Sequence, residues 1–322
     1  MSKETLYIIG NGFDIYHNLP TKFSDFLEYI KIKDSELFGY LEQYFSGDLW
    51  SDFENALSTL DITKILSDAE NLFPSNEESD KWSDIYIIED YAEQIKHILT
   101  SGLVDSLIDW ILEIEYPNNG NFLDIDKKAT FLSFNYTDTL EQFYNIESSR
   151  ITYIHNKAPK YFFKDGYRDY FSDEIIIGHS VDEKKEKPKP YSKGVKIAIA
   201  YQEAFEHLKQ YFVQSYKNTA KVISDNQKFF ANLTYFEEIV IIGHSLSDID
   251  IAYFQEISKK AINVKEWKIT YHGDEKLSEM KTQALKFLHR LDNVCFFNSK
   301  KEMSLVSCHP KNDSTVDNEA RN

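Results

Sequence analysis

The sequence predicts an open, doubly wound α/β sheet of mostly parallel strands that carries a large helical insertion. Short β-branched runs alternate with amphipathic segments over most of the chain, the pattern of strands joined by crossover helices. The first run ends abruptly in Gly10-Asn11-Gly12, as a buried strand does when it turns into a helix. Between it and the next run, helical periodicity continues for about a hundred residues, far more than a crossover connection needs.

Residues 5 to 9 form the first strand. From Thr21 to Tyr116 apolar residues recur at three and four, as in Phe23, Phe26, Leu27 and Ile30, or Ile88, Tyr91, Ile95 and Ile98. Pro74 interrupts this block and Tyr116-Pro117-Asn118-Asn119-Gly120 ends it with turn chemistry. Strands are expected again at residues 130–134, 151–154, 174–177, 239–242, 267–271 and 294–297, and helices at 195–216, 219–236, 249–260 and 276–291. The expected division is a Rossmann-like nucleotide-binding domain (1–20 and 121–309), an inserted helical subdomain (21–120) and a polar, disordered tail (310–322). Residues 182–196 hold six lysines and read as a solvated loop or as a lid over a phosphate-bearing ligand.

The 322 residues include 36 Lys and Arg against 53 Asp and Glu, a net charge of −17. That sign repels nucleic-acid phosphates and anionic membranes, so generic nucleic-acid binding and membrane association are not expected. Cys295 and Cys308 are the two cysteines, too few for a disulfide framework or a four-cysteine zinc site, which points to a reducing compartment. The first strand follows the amino terminus at once, leaving no leader-like segment, so a cytoplasmic protein is expected.

Gly10-Asn11-Gly12-Phe13-Asp14 can bring backbone amides to a phosphate, or can be no more than a tight turn. Asp14 would repel an anion there, and suits a ribose hydroxyl or a helix cap. The third glycine of a dehydrogenase fingerprint is missing, Ile15 standing in its place, which argues against hydride transfer. Asn135 ends a strand in Ser133-Phe134-Asn135, where it can orient ribose or water, or cap the next helix. His155 ends the following strand and is suited to general-base work. His179 and His244 each follow Ile-Ile-Gly, so three histidines are expected along one sheet edge, with Asp248 and Asp250 nearby. Gly243-His244-Ser245-Leu246-Ser247-Asp248 offers amides and hydroxyls for a second phosphate or a ribose. Trp50-Ser51-Asp52-Phe53-Glu54 is a further candidate, with Trp50 packed inside as the plainer reading.

Taken together, Ile8-Ile9-Gly10-Asn11-Gly12-Phe13-Asp14, Leu19-Pro20-Thr21, Trp50 with Glu54, Phe134-Asn135-Tyr136-Thr137 and Gly243-His244-Ser245-Leu246-Ser247-Asp248 resemble the AbiH family of bacteriophage abortive-infection proteins. A more distant likeness is to sirtuins. Gly10 and Gly12 with Asn18-Leu19-Pro20, Ser133-Phe134-Asn135, Ile154-His155-Asn156 and Gly243-His244-Ser245-Leu246 are similar, in order, to sirtuin motifs. That likeness implies a sirtuin-like Rossmann variant binding NAD, with catalytic Asn135 and His155 at the nicotinamide-ribose end. Gly10, Asn11, Gly12, Phe13, Asp14, Gly243, His244, Ser245 and Asp248 would then contact the rest of the nucleotide. Sirtuins carry a four-cysteine zinc module that this chain lacks, and Asn156 stands where they have glycine, so protein deacylation is not expected. The function implied is anti-phage hydrolysis of NAD at the nicotinamide-ribose bond. Two other functions stay open: a nucleotide-binding sensor without turnover, and a metal-dependent phosphoesterase using His155, His179, His244 and Asp248. A phage-derived trigger, a defence partner and a homo-oligomer are partners compatible with either class.

Overall fold

The computed structural model describes residues 4–72, 82–117, 122–170, 173–181 and 195–302. Its strands are β1 (Thr5–Ile9), β2 (Thr130–Ser133), β3 (Ile151–Tyr153), β4 (Tyr161–Lys164), β5 (Tyr167–Tyr170), β6 (Glu238–Ile242), β7 (Glu266–Tyr271) and β8 (Val294–Asn298). Six of them form one open sheet in the order β3-β2-β1-β6-β7-β8, with every neighbouring pair parallel. The chain winds one way from β1 through β2 to β3 and the other way from β6 through β7 to β8. β1 and β6 therefore flank a topological switch point, where a crevice opens at the carboxyl ends of the strands.

β1 is buried along its whole length, and its side chains alternate as a strand's must. Leu6 and Ile8 pack on one face of the sheet with Ile239, Ile241, Phe254 and Ile257. Tyr7 and Ile9 pack on the other with Phe13, Phe131, Leu140 and Tyr144. A strand covered on both faces must be apolar throughout, which is why β1 and β6 read as continuous hydrophobic runs.

Among the described residues, seven α-helices lie between β1 and β2: α1 (Asn11–Tyr16), α2 (Phe23–Lys33), α3 (Ser35–Tyr44), α4 (Phe53–Ala56), α5 (Ile62–Asn71), α6 (Trp82–His97) and α7 (Leu103–Glu113). After them come α8 (Thr139–Tyr144), α9 (Val195–Gln214), α10 (Thr219–Asp225), α11 (Gln227–Ala231), α12 (Ile251–Lys260) and α13 (Leu277–Ala284). Helices α2 to α7 share a separate hydrophobic core, and α9 joins it through Tyr201, Ala204, Phe205, Leu208, Tyr211 and Phe212. The helical layer thus takes in a segment from well beyond residue 120. Among the described residues, no helix is long and apolar enough to cross a membrane.

Several expectations need correction. Residues 174–177 join no sheet; Ile176 N–H donates to the His155 carbonyl at 2.8 Å, and the segment runs past the end of β3. β4 and β5 form an antiparallel hairpin around Asp165-Gly166, both at positive φ, as the tight turn between paired strands requires. The helix expected over 219–236 is broken at Asn226, which ends α10 and begins α11, and a 3₁₀ turn follows at Asn232–Tyr235. Pro74, Asn118 to Gly120, most of the lysine-rich segment (182–194) and the tail 310–322 lie outside the described residues.

Candidate functional site

A cavity of about 330 Å³ opens at the switch point, at the small end of the range for pockets that take small molecules. Its floor comes from the loops after β1, β2, β3 and β6, and Phe23, Glu54, Trp110 and Ile111 of the helical layer supply the facing wall. Gly10, Asn11, Gly12, Asp14, Asn135, His155, Gly243, His244 and Ser245 all line it. Phe13 and Asp248 do not. Phe13 is fully buried in the core beneath the first turn, where it contacts His17 and Tyr144. Asp248 is exposed and paired with Lys286.

The glycines meet one another rather than open space. A Cβ on Gly10 would lie 2.6 Å from His244 Cα, and one on Gly12 would lie 2.7 Å from Gly243 Cα. Gly12 N–H donates to the Gly243 carbonyl at 2.8 Å, and Phe13 N–H to the Gly10 carbonyl at 2.9 Å. The turn after β1 and the turn after β6 are thus zipped together, and these amides are used within the protein. Helix α1 also ends after six residues.

Asn135 does not cap α8, whose first turn is preceded by Asp138. Its amide instead donates to the Gly10 carbonyl at 3.2 Å, tying the end of β2 to the first turn. Asp14 is buried to 1 % exposure and accepts from Thr137 Oγ1 at 2.6 Å. Among the described residues, three buried oxygens on this wall, Asp14 Oδ1, Thr21 Oγ1 and Asn135 Oδ1, have no hydrogen-bond partner. Leaving a buried polar atom unpaired costs about 1–3 kcal/mol, and all three belong to residues that line the cavity.

Burial pushes the Asp14 carboxyl from 3.8 up to about 6, against the hydrogen bond from Thr137. A carboxyl that holds its proton more tightly folded than unfolded contributes stability at low pH that is lost as pH rises through the folded value. The loss begins near 3.8 and is complete above about 6, and two pH units correspond to about 3 kcal/mol. Asp14→Asn is therefore expected to be about 2–3 kcal/mol more stable than the parent at pH 8 and no more stable at pH 3. Urea unfolding at both pH values checks this, and a gain of equal size at both would refute it.

Across the cavity sits a buried charge cluster. Lys217 Nζ donates to Asp250 Oδ1 at 2.9 Å and to Glu54 Oε1 at 3.0 Å. His155 Nε2 lies 3.7 Å from Asp250 Oδ1 and 3.3 Å from the Tyr253 hydroxyl. His244 Nδ1 accepts the Leu246 N–H at 2.9 Å, which leaves its proton on Nε2, 3.5 Å from Asp250 Oδ2. Leu246 holds φ at 56° to make that bond, a costly conformation for a branched residue and one that fixes the imidazole tautomer. Phe134 stands edge-on to both imidazoles.

Burial and then Lys217 hold His155 well below its usual pKa, so its ring is neutral. Burial raises Glu54 against the pull of Lys217. Burial would raise Asp250 too, but Lys217 and the two histidines outweigh it and keep that carboxyl ionised. Lys217 stays protonated because Asp250 and Glu54 overcome the cost of its burial.

The sequence reading missed Lys217, and took Asp250 only as a neighbour of His244. His179 is not at the cavity. It is fully buried, with Nε2 3.2 Å from Ser215 Oγ, and its backbone pairs with both Ser215 and Lys217. A Cβ on Gly178 would lie 1.9 Å from the Ser215 carbonyl oxygen, so the first Ile-Ile-Gly-His-Ser holds the segment that delivers Lys217. Trp50 is 39 % exposed rather than packed inside, while Glu54 four residues on reaches the cavity. Since His179 and Asp248 point elsewhere, the four-residue metal set is not assembled, and the cation lodged between Glu54 and Asp250 is an ammonium group.

No curated protein and no solved structure matches the chain. The family model for bacteriophage abortive infection AbiH matches residues 6–271. That match runs from β1 through β7 and takes in both walls of the cavity, and the chain belongs to the AbiH family of bacteriophage abortive-infection proteins.

Proposed function

We propose that this abortive-infection protein binds the ribose of a nucleotide in the cavity and, with NAD as substrate, hydrolyses the nicotinamide-ribose bond. The observation that carries the reading is the set of unpartnered oxygens on Asp14, Thr21 and Asn135. Ribose presents adjacent hydroxyls that donate hydrogen bonds, whereas a phosphate only accepts. Charge supports it as well. Glu54, Asp250 and Asp14 outnumber Lys217 around the cavity, which disfavours an anion and favours the cationic nicotinamide ring and an oxocarbenium-like ribose. Trp110, Phe23 and Phe134 give an aromatic ring apolar contact.

The bond from ribose to nicotinamide breaks with its electron pair leaving on a neutral base, so no general acid is needed. Asn135 positions the ribose and the attacking water. His155, held neutral, takes the proton from that water, and Asp250 stabilises the imidazolium that results.

Purified protein is expected to release nicotinamide from NAD, with extract of phage-infected cells supplied in case a trigger restrains it. His155→Ala and Asn135→Ala are each expected to lower release at least about 10²-fold while the protein stays folded. Release that is unchanged in both variants would overturn the assignment. NAD binding without release would make the protein a nucleotide sensor, and no binding would remove the ribose reading.

A further inference from the structure

Resting on that reading, we propose that Glu54 is the catalytic carboxylate of the site, supplied by the helical layer to face the positive charge that develops on the ribose. Three carboxylates border the cavity, and their surroundings fit them for different work. Both oxygens of Asp250 are occupied: Oδ1 is 2.9 Å from Lys217 Nζ and 3.7 Å from His155 Nε2, and Oδ2 is 3.5 Å from His244 Nε2. Asp250 thereby orders the lysine and the two imidazoles. Asp14 lies beneath the first turn, its Oδ2 held by Thr137, and no described cation pairs with it.

Glu54 differs from both. Its Oε1 accepts from Lys217 at 3.0 Å, and its Oε2 has no hydrogen-bond partner among the described residues. Its side chain keeps 16 % exposure while lining the cavity. Lys217, itself 1 % exposed, bonds one oxygen and opposes the rise in pKa that burial imposes on this carboxyl. Glu54 comes from α4, whereas Asn135 and His155 come from the ends of β2 and β3. The helical layer and the sheet edge would thus face the ribose from opposite sides.

The chemistry balances with water as the co-reactant. The carbon-nitrogen bond at ribose C1′ breaks, and its electron pair goes to the nicotinamide nitrogen. The cationic sugar is stabilised by the Glu54 carboxylate. A water oxygen then bonds to C1′, and its proton passes to His155.

The test measures turnover and binding together, on the full chain. Glu54→Gln keeps the size of the side chain and an oxygen for Lys217. It is expected to lower kcat for nicotinamide release about 10²- to 10³-fold, with the dissociation constants for NAD and ADP-ribose moved less than about threefold. Glu54→Asp, which keeps the charge but withdraws it by one methylene, is expected to fall between parent and Gln variant, and melting curves establish that each is folded. Parent-like kcat in a folded Gln variant would overturn the role of Glu54 and leave the hydrolase reading standing. So would a loss confined to binding. A parent protein that binds NAD and never releases nicotinamide would overturn both.

Discussion

Lys217→Met is expected to lower the folding free energy by about 3–5 kcal/mol at pH 7.5, the usual cost of breaking a buried ion pair from one side. Lys217 is 1 % exposed and bridges Glu54 and Asp250, so its removal leaves two buried carboxylates with no cation between them. The deficit should depend on pH. Burial already raises the folded pKa of Glu54 against the pull of Lys217, and with the ammonium gone nothing opposes burial and the neighbouring carboxylate, so it rises further. Such a group contributes stability at low pH that is lost as pH rises through the folded value. The variant is therefore expected to come closest to the parent near pH 4 and to fall furthest behind above neutrality. Adding Glu54→Gln should restore part of the loss, because one of the two unpaired charges is then neutral. Urea midpoints for the single and double variants at both pH values check this; a pH-independent deficit, or no rescue, would show that packing rather than charge explains the loss.

Gly243→Ala is expected to be comparably damaging for a different reason. Gly243 sits at φ 69°, and a Cβ there would lie 2.3 Å from Phe13 N and 2.5 Å from Gly12 C. The left-handed conformation costs an alanine about 1–2 kcal/mol. The collision is with backbone on the opposite turn, so relief requires β1 and β6 to separate where they define the cavity floor, adding about 1–3 kcal/mol. Gly39 provides the contrast. It lies inside α3 with nothing within 4 Å of a built Cβ, and Gly39→Ala should stabilise by about 0.5–1 kcal/mol through helix propensity alone. Thermal unfolding of the two variants separates the effects, and similar melting temperatures would disprove the close contact of the two turns.

The strands that build the sheet were legible because burial on both faces demands unbroken apolar runs. β1 matches its expected bounds, and β2, β6, β7 and β8 fall within a residue of theirs. The hairpin of β4 and β5 carried a signal that went unread, the Asp165-Gly166 pair between aromatic runs. Residues 174–177 carried a misleading one. Ile175-Ile176-Ile177 resembles a buried strand in composition, yet with Glu174 it serves as a connection running past the site. A short apolar run reports burial and not pairing.

From sequence alone came the parallel sheet, the glycine turn at Gly10 to Gly12, and Asn135, His155 and His244 at strand ends, because strand direction and length follow from local patterns. The family too was recognisable, from short motifs spread along the chain. Tertiary structure alone decided that Lys217 would meet Glu54, 163 residues away, and Asp250, 33 residues away. A lysine just after an amphipathic helix looks like any solvated charge, and no periodicity distinguishes it. Its burial depends on where α9 ends against the helical layer and on the carboxylates that offset its desolvation there, and those are properties of packing over long range.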